Sequence, residues 1–281
     1  MLIFLSYVIL SFLLTVPIYA LIFSCRNSAE TYGDFPPYTR ICADEKVDYY
    51  VFSAESEYKK TVVLSGGMKS APALFCRLIR ALLRDGHDVL YICRKRKSIA
   101  DCLKGFRLFG EDIQNAVVYL TKKGVPERDI VVIGHSAGGY GAVCRFESRS
   151  AICAVVSICA FCSELEIMRY YAKKAVGFWA DLQLPFLYLF LCLSDRKALF
   201  SDVFRTIDLQ TVPIYFIEAA PDRTVPEKLG FMRYREKIRR DNVYFRQISS
   251  TLPNAHSDVL QTEAETIAHC VRFVENRGMS R

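Results

Sequence analysis

Residues 129–147 place a short strand-like run, a serine between glycines and a helical pattern in direct succession. Asp129–Ile133 is rich in β-branched residues, and Gly134–Gly138 reads Gly-His-Ser-Ala-Gly, which fits the pattern G-x-S-x-G. A serine on such a strand-to-helix turn has a strained backbone, and the glycines are needed because a Cβ there would clash with the neighbouring strand or helix. The segment predicts a strand–turn–helix unit that exposes Ser136 at one edge of a sheet. The apolar positions that support the helix are Ala142, Val143 and Phe146.

A nucleophilic serine needs a base within hydrogen-bond reach and an acid that orients the base. The chain has four histidines. Three of them have structural interpretations: His87 in a surface turn, His135 directed away from the reaction face, and His269 on a helix face. His256 lies in a loop after the strand at 243–248 and before the last helix, where a base can reach the serine. We therefore predict His256 as the base.

The best candidate for the acid is Asp222. It stands in a turn just past the strand-like run 212–217, with Pro221 before it and Pro226 after it. Because Pro-Asp favours turns in any protein, an ordinary turn aspartate is the alternative. Glu218, at the very end of the strand, is a weaker rival for the acid.

The chain order Ser136, Asp222, His256 resembles that of the α/β-hydrolase superfamily, and Asp-Arg-Thr-Val-Pro at 222–226 resembles its acid loop. The resemblance covers about residues 46–276 and is closest to the lipase, esterase and serine-aminopeptidase-like branch with a helical lid. It implies an α/β-hydrolase fold, a Ser136–Asp222–His256 triad and an acyl-enzyme intermediate.

The resemblance also implies an oxyanion hole. In this superfamily the exit loop of an early strand gives one backbone N–H, and the residue after the nucleophile gives the other. Here the strand Lys60–Leu64 runs into Ser-Gly-Gly-Met at 65–68, so the donors would be Gly67, with Met68 as the neighbouring candidate, and Ala137. Ser65 replaces the histidine of the common His-Gly-Gly-Gly form. A phosphate loop at 66–70 is disfavoured because the Walker spacing is not met.

Strand-like and helical segments alternate through the rest of the chain. Alternation of this kind predicts a mainly parallel twisted sheet covered by helices on both faces. The one long departure, about 160–210, is rich in bulky apolar residues and is predicted to be a helical lid; ordinary helix-packing surface is the alternative. Strands are expected near 47–53, 61–65, 88–93, 129–134, 151–158, 212–218 and 243–248, and helices near 71–84, 108–123, 138–147, 227–239 and 259–275.

Residues 1–24 carry no charged side chain and are long enough to span a bilayer as a helix. We expect a transmembrane anchor over 1–25, contacting the membrane through 2–24, a tether over 26–45 and the hydrolase domain over 46–281. A cleaved signal segment or a lipidation site at Cys25 is the alternative, which would make the protein exported or lipid-anchored. Basic residues occur only after the helix, which favours a single-pass protein with a cytoplasmic catalytic domain.

Cysteine usage agrees with a reducing compartment. The chain has eleven cysteines, an odd number, and several lie in strand-like apolar runs rather than in loops. Cys159 and Cys162 have C-x-x-C spacing, but no second ligand pair accompanies them. We therefore predict no metal and no cofactor.

Two features suggest what the protein contacts. The apolar lid and anchor favour a small hydrophobic acyl substrate, and the lid could also face the bilayer. The basic run Arg94–Lys97, in a chain of net charge +7, is a solvated loop or a site for anionic headgroups or an anionic substrate. One short basic cluster without a recognition motif does not indicate nucleic-acid binding. No feature of the sequence sets an oligomeric state.

These observations predict a serine hydrolase of carboxylic esters with lipid-like or other hydrophobic acyl groups. A peptidase or an acyl-thioesterase would use the same residues. A non-catalytic membrane-tethered binding protein of the same fold is the third possibility, but its expected signature, a broken triad or a filled oxyanion loop, is not seen.

Overall fold

The computed structural model describes residues 2–23, 35–56, 60–68, 70–95, 99–146, 151–194, 207 and 211–279. Within them the chain forms one eight-stranded sheet in the order β1-β2-β4-β3-β5-β6-β7-β8. Only β1 and β2 run antiparallel to their neighbours, so the predicted mainly parallel sheet is confirmed. The strands are β1 (Thr39–Cys42), β2 (Val47–Phe52), β3 (Lys60–Ser65), β4 (His87–Arg94), β5 (Ile130–His135), β6 (Ala154–Ile158), β7 (Ile214–Ala220) and β8 (Val243–Ser249).

Helices follow most of the strands. Short helical turns at Pro72–Phe75 and Gly141–Arg145 extend the helices that begin or end beside them. The helices are α1 (Leu2–Phe23), α2 (Cys76–Arg84), α3 (Ile99–Leu103), α4 (Arg107–Lys122), α5 (Ala137–Tyr140), α6 (Glu164–Val176), α7 (Trp179–Ser194), α8 (Ala255–Thr262) and α9 (Ala264–Met279).

The central strands are apolar on both sides because both faces of the sheet are covered. Val62 and Leu64 of β3 pack in one core with α2 and α9, while Val63 between them packs in a second core with α4. All three side chains are fully buried. Burying an aliphatic side chain of this size contributes about 1.5–3 kcal/mol. The β-branched runs that predicted strands are therefore the strands at the centre of the molecule.

Three predicted elements differ in the structure. Residues 227–239 form two short 3₁₀ turns instead of a helix, because Gly230 pairs with Phe161 in a β-bridge and the Leu229 carbonyl accepts the Cys162 N–H at 2.9 Å. The predicted tether contains strand β1, which pairs with β2. The last helix begins before residue 259 and consists of α8 and α9. Each difference depends on partners distant in sequence, which local patterns do not report.

The N-terminal anchor expected for residues 1–25 is not supported. Among the residues that the structure describes, no helix is both long and apolar enough to cross a membrane. Helix α1 contacts α3 and α7 of the folded domain. Thr15 is buried and its hydroxyl oxygen lies 3.5 Å from Gln183 Oε1, while the Tyr7 and Phe186 rings meet edge to face at 6.5 Å. Residues 24–34, which include the end of the expected anchor and the first part of the expected tether, lie outside the described residues.

Helices α6 and α7 occupy the segment between β6 and β7 that the sequence assigns to a lid. Helix α6 begins at a serine cap, where Ser163 Oγ accepts the Glu166 N–H at 3.3 Å. Buried residues of both helices, Met168, Phe190 and Leu191, join a third apolar core above the sheet edge where β5 ends. Residues 195–206 and 208–210 of the segment lie outside the described residues.

Candidate active site

Ser136 occupies a sharp turn between β5 and α5. Its φ of 55° lies in the left-handed region, which is rare for a residue with a side chain and is sustained only by the surrounding structure. A Cβ added to Gly134 would lie 2.3 Å from the Gly138 carbonyl oxygen, and one on Gly138 would lie 2.3 Å from the Ser65 carbonyl oxygen. The glycines are therefore required by close backbone approach, as the sequence predicts.

His256 and Asp222 meet at the same edge of the sheet. His256 Nδ1 lies 2.6 Å from Asp222 Oδ2, and both side chains are almost fully buried. Because a carboxylate oxygen accepts, Nδ1 carries the proton and Nε2 keeps a lone pair that can take a proton from a nucleophile. His256 lies in the first turn of α8 rather than in the loop expected from the sequence.

The Asp222 loop is fixed by its own backbone. Asp222 Oδ1 accepts the N–H groups of Thr224 at 2.7 Å and Val225 at 2.8 Å. These bonds hold one carboxylate oxygen and leave Oδ2 for His256 Nδ1. The loop is thus an Asx turn whose side chain also orients the imidazole.

Glu218, the rival acid, has a different set of partners. Its Oε1 accepts the Met232 N–H at 2.8 Å, and its side chain lies against Gly230. Burial, with a contribution from the charge of Asp222, raises the pKa of Glu218 from 4.5 to about 7. Glu218 therefore stabilises the segment that follows Asp222, around Met232, and is not a hydrogen-bond partner of the His256 imidazole.

The glycine-rich exit of β3 lies beside Ser136. A Cβ on Gly67 would sit 3.2 Å from Ser136 Cβ and 3.5 Å from its Oγ. The Gly67 N–H donates to Ser70 Oγ at 2.7 Å and is therefore occupied. The N–H groups of Met68 and Ala137 have no acceptor within the described part of the chain, so they are the available donors at this point. Ser70 was missed in the sequence because its role depends on the fold of this loop.

Within the described part of the chain, the Ser136 hydroxyl forms no hydrogen bond to the His256 ring. Catalytic hydrogen bonds of this kind are often long in ligand-free structures and tighten when substrate binds. His135, the residue before Ser136, contacts His256: the centroids of the two rings lie 4.8 Å apart. Ser136 and His256 therefore lie on neighbouring parts of one edge of the sheet.

The other three histidines differ in burial. His269 is exposed on α9, as predicted. His87 is not in a surface turn: it begins β4, is buried, and its Nε2 lies 2.8 Å from Glu275 Oε1. That correction follows from α9 packing over the end of β4, a contact that the local sequence does not show. His135 is buried, and its ring contacts the His256 ring.

Cys159, Asp222 and His256 are the only group of three described residues whose ligating atoms approach within the distance of a metal site, 4.8 Å. One observation argues against a metal there: His256 Nδ1 and Asp222 Oδ2 are already paired with each other by a hydrogen bond. Burial raises the pKa of the Cys159 thiol well above its usual value of 9.

Two tyrosines that the sequence assigned only to lid bulk contact the acid loop. The Tyr171 hydroxyl donates to the Thr224 carbonyl at 2.8 Å, and the Tyr170 hydroxyl lies 3.5 Å from the Arg223 carbonyl. Burial raises the pKa of Tyr171 to about 12, so it remains a neutral donor. Helix α6 is thereby tied to the segment that carries Asp222.

The basic run at 94–97 is partly internal. Arg94 Nε donates to Asp112 Oδ2 at 2.8 Å, and Lys95 Nζ lies 2.8 Å from Asp48 Oδ1. Both carboxylates are buried, so these two cations serve internal ion pairs. Arg96 and Lys97 lie outside the described residues, and an anion-binding role of the run stays a prediction.

Solved structures share this architecture. The esterase Est1E from Butyrivibrio proteoclasticus is similar with a TM-score of 0.62 and 14% identity over 87% of this chain and 99% of that one. The Pyrococcus furiosus esterase Pf2001 is similar with a TM-score of 0.62 and 16% identity, over 90% of this chain and 99% of that one. The α/β hydrolase GrgF from Penicillium sp. sh18 is similar with a TM-score of 0.60 and 12% identity, over 87% of this chain and 100% of that one.

This chain has the α/β-hydrolase fold. No family model and no curated protein matches the sequence. Identities this low establish the fold alone. Within the α/β-hydrolase fold, the described site combines a strained serine, a histidine–aspartate pair and two available backbone N–H groups, which are the components that acyl transfer requires.

Proposed function

We propose that this protein is a serine hydrolase that cleaves carboxylic esters through Ser136, His256 and Asp222. The observation that carries the proposal is the 2.6 Å contact between His256 Nδ1 and Asp222 Oδ2, at the sheet edge that also holds the strained Ser136. A buried carboxylate on Nδ1 sets the imidazole tautomer in which Nε2 is basic. Such a pair at the same sheet edge as a partly exposed serine has a direct use in nucleophilic catalysis.

The reaction would proceed in two steps. Ser136 Oγ attacks the acyl carbonyl as His256 Nε2 removes its proton, and the imidazolium then returns that proton to the leaving alcohol. The N–H groups of Ala137 and Met68 donate to the tetrahedral oxyanion. Water, deprotonated by the same imidazole, releases the acid from the acyl-enzyme. Gly67 supports this arrangement through its close contact with Ser136.

The substrate we propose is a hydrophobic acyl ester. The third apolar core gathers Ala137, Tyr140 and Phe161 with the lid residues Met168 and Phe190, and Met68 packs against it. An acyl chain bound at Ser136 would therefore meet apolar side chains contributed by α6 and α7. We assign these two helices the role of a lid on this basis.

Amide or thioester cleavage is the alternative. The fold is shared with the acylaminoacyl peptidase of Pyrococcus horikoshii, at a TM-score of 0.54 and 14% identity, although this chain covers only 40% of that protein. The same serine, histidine and aspartate would serve. Comparison of matched ester, thioester and anilide substrates separates the three activities.

The test uses p-nitrophenyl esters of graded chain length. We expect turnover that increases from acetate to medium-length acyl groups, since a longer chain buries more apolar area. Ser136→Ala should abolish turnover, while Ser53→Ala, an exposed serine at the end of β2, should leave it unchanged. Folded protein without turnover of any ester, thioester or anilide would refute the proposal.

We further propose that the protein works at a membrane surface, on its cytoplasmic side. Leu10 and Leu13 of α1, and Leu189 and Leu193 of α7, are each roughly half exposed or more. Exposed apolar side chains concentrated on two adjacent helices suit contact with a lipid surface. The free thiols of the described cysteines suit a reducing compartment.

Co-sedimentation with phosphatidylcholine vesicles checks this proposal. The full-length protein should pellet with the vesicles, and the double variant Leu13→Glu/Leu193→Glu should stay in the supernatant. A matched double variant at exposed sites away from these helices, Val118→Glu/Leu252→Glu, should still pellet. Equal sedimentation of both double variants would contradict a role for this surface.

A further inference from the structure

His135 stands between the nucleophile and the base. It precedes Ser136 directly at the end of β5, and its side chain is buried. Its Nε2 lies 2.8 Å from the backbone carbonyl oxygen of His256. Its ring also contacts the His256 ring at 4.8 Å and the Phe75 ring edge to face at 5.9 Å.

The partner of Nε2 determines the state of this imidazole. A carbonyl oxygen only accepts, so Nε2 must carry the hydrogen. The other ring nitrogen, Nδ1, is buried with no hydrogen-bond partner in the described part of the chain. Burial, with a contribution from nearby His256, lowers the pKa of His135 to about 3. His135 is therefore a neutral donor at any pH at which the protein works.

We propose that His135 is a positioning residue that sets the distance between Ser136 and the His256 imidazole through this single hydrogen bond. The inference rests on the serine-hydrolase function proposed above. His135 is rigidly placed because β5 pairs with β3 and β6 on both sides. Its N–H holds the backbone of His256, in the first turn of α8, while Asp222 holds the ring at Nδ1.

These two attachments act on different parts of His256. The Asp222 contact sets the tautomer and tilt of the ring, and the His135 contact sets where its Cα stands relative to the serine turn. Without the second contact, α8 could shift while the histidine–aspartate pair stayed intact. A displacement of about 1 Å at a reacting group can lower the rate about 100-fold.

The neutral state of His135 also matters for the chemistry. His256 becomes an imidazolium when it takes the serine proton, and a cation in ring contact with it would oppose that charge. The position therefore requires an uncharged side chain with a donor at the reach of Nε2. Glutamine meets this requirement, and phenylalanine keeps the ring but lacks the donor.

The experiment compares His135→Phe and His135→Gln in the full-length protein, with His87→Gln as the matched control. His87 is also buried and hydrogen-bonded, but it lies at the opposite end of the sheet. We expect His135→Phe to lower kcat about 10- to 100-fold with little change in KM. The kcat of His135→Gln should lie within about threefold of the wild-type kcat. His87→Gln should lose thermal stability and keep its kcat.

Amide hydrogen exchange supplies a readout that needs no turnover. Ser257 and Asp258 donate to the Asn254 carbonyl at 2.8 and 2.9 Å, in the turn that His135 holds. Their exchange should be faster in His135→Phe than in wild type and His135→Gln. Unchanged exchange, or a kcat in His135→Phe above half of wild type, would overturn the inference. Wild-type protein that turns over no acyl substrate would instead refute the proposed function, whatever the exchange result.

Discussion

Replacing Glu218 by glutamine should stabilise the protein at alkaline pH and change little near pH 5. Glu218 is buried, and its pKa is raised from 4.5 to about 7. Between these two values the folded state keeps a proton that the unfolded state has released. The free energy of unfolding therefore falls as pH rises through this window.

The size of the effect follows from the shift. At about 1.4 kcal/mol per pK unit, a rise from 4.5 to about 7 costs the wild type about 3 kcal/mol above pH 7. Glutamine has no carboxyl proton to lose, and its amide oxygen can still accept the Met232 N–H. The variant therefore does not lose stability as pH rises through this range, and it keeps the hydrogen bond to the Met232 N–H.

Urea unfolding of both proteins between pH 5 and pH 9 measures this difference. The stability of the variant relative to wild type should rise by about 2.5 kcal/mol from pH 5 to pH 8, since part of the wild-type loss has already occurred below pH 5. Glu227→Gln, an exposed glutamate nearby, should show no such trend. A difference between Glu218→Gln and wild type that is constant across this range would show that Glu218 has no raised pKa in the folded protein.

Three further substitutions test the site. Asp222→Asn should lower kcat about 10⁴-fold, since an amide no longer sets the tautomer of the imidazole, measured as ester hydrolysis. Gly134→Ala should lower the free energy of unfolding by about 3 kcal/mol or more, since its Cβ would overlap the Gly138 carbonyl; thermal or urea unfolding shows this. Tyr171→Phe should lower kcat/KM up to about tenfold, since one hydrogen bond to the acid loop, worth about 1 kcal/mol, is lost.

Two of these substitutions, Gly134→Ala and Tyr171→Phe, have a matched control. Gly177→Ala places a Cβ in open space, so its cost should come only from backbone strain at a φ of 61° and a ψ of −134°, about 1–3 kcal/mol, and should be lower than that of Gly134→Ala. Tyr170→Phe removes a contact of 3.5 Å and should have a smaller effect than Tyr171→Phe. An Asp222→Asn protein with near-wild-type kcat, or equal costs for the two glycines, would contradict the geometry described above.

The sequence predicts the parts of this structure that depend on local patterns. The β-branched runs at 61–65 and 129–134 are central strands because burial on both faces demands continuous apolar residues. The residues proposed for catalysis follow from strand ends, since carboxyl ends of parallel strands share one edge. Asp222 and His256 are brought together there, as expected.

The remaining features depend on partners distant in the chain. Residues 227–239 were expected to be helical, but a bridge to Phe161 fixes Gly230 in another conformation. The bond of Ser70 to Gly67, which moves the available donor towards Met68, and the bond of His135 to the His256 carbonyl exist only in the folded chain. No periodicity or motif reports them.

Covalent modification by a fluorophosphonate shows whether Ser136 is an activated nucleophile. Such a probe phosphonylates a serine only where a neighbouring base has activated it. Mass spectrometry of the treated protein should find one adduct, located on the peptide that contains Ser136, with none on Ser136→Ala and much slower labelling of His256→Ala. Folded wild-type protein that gains no adduct, or gains it on another residue, would contradict the account.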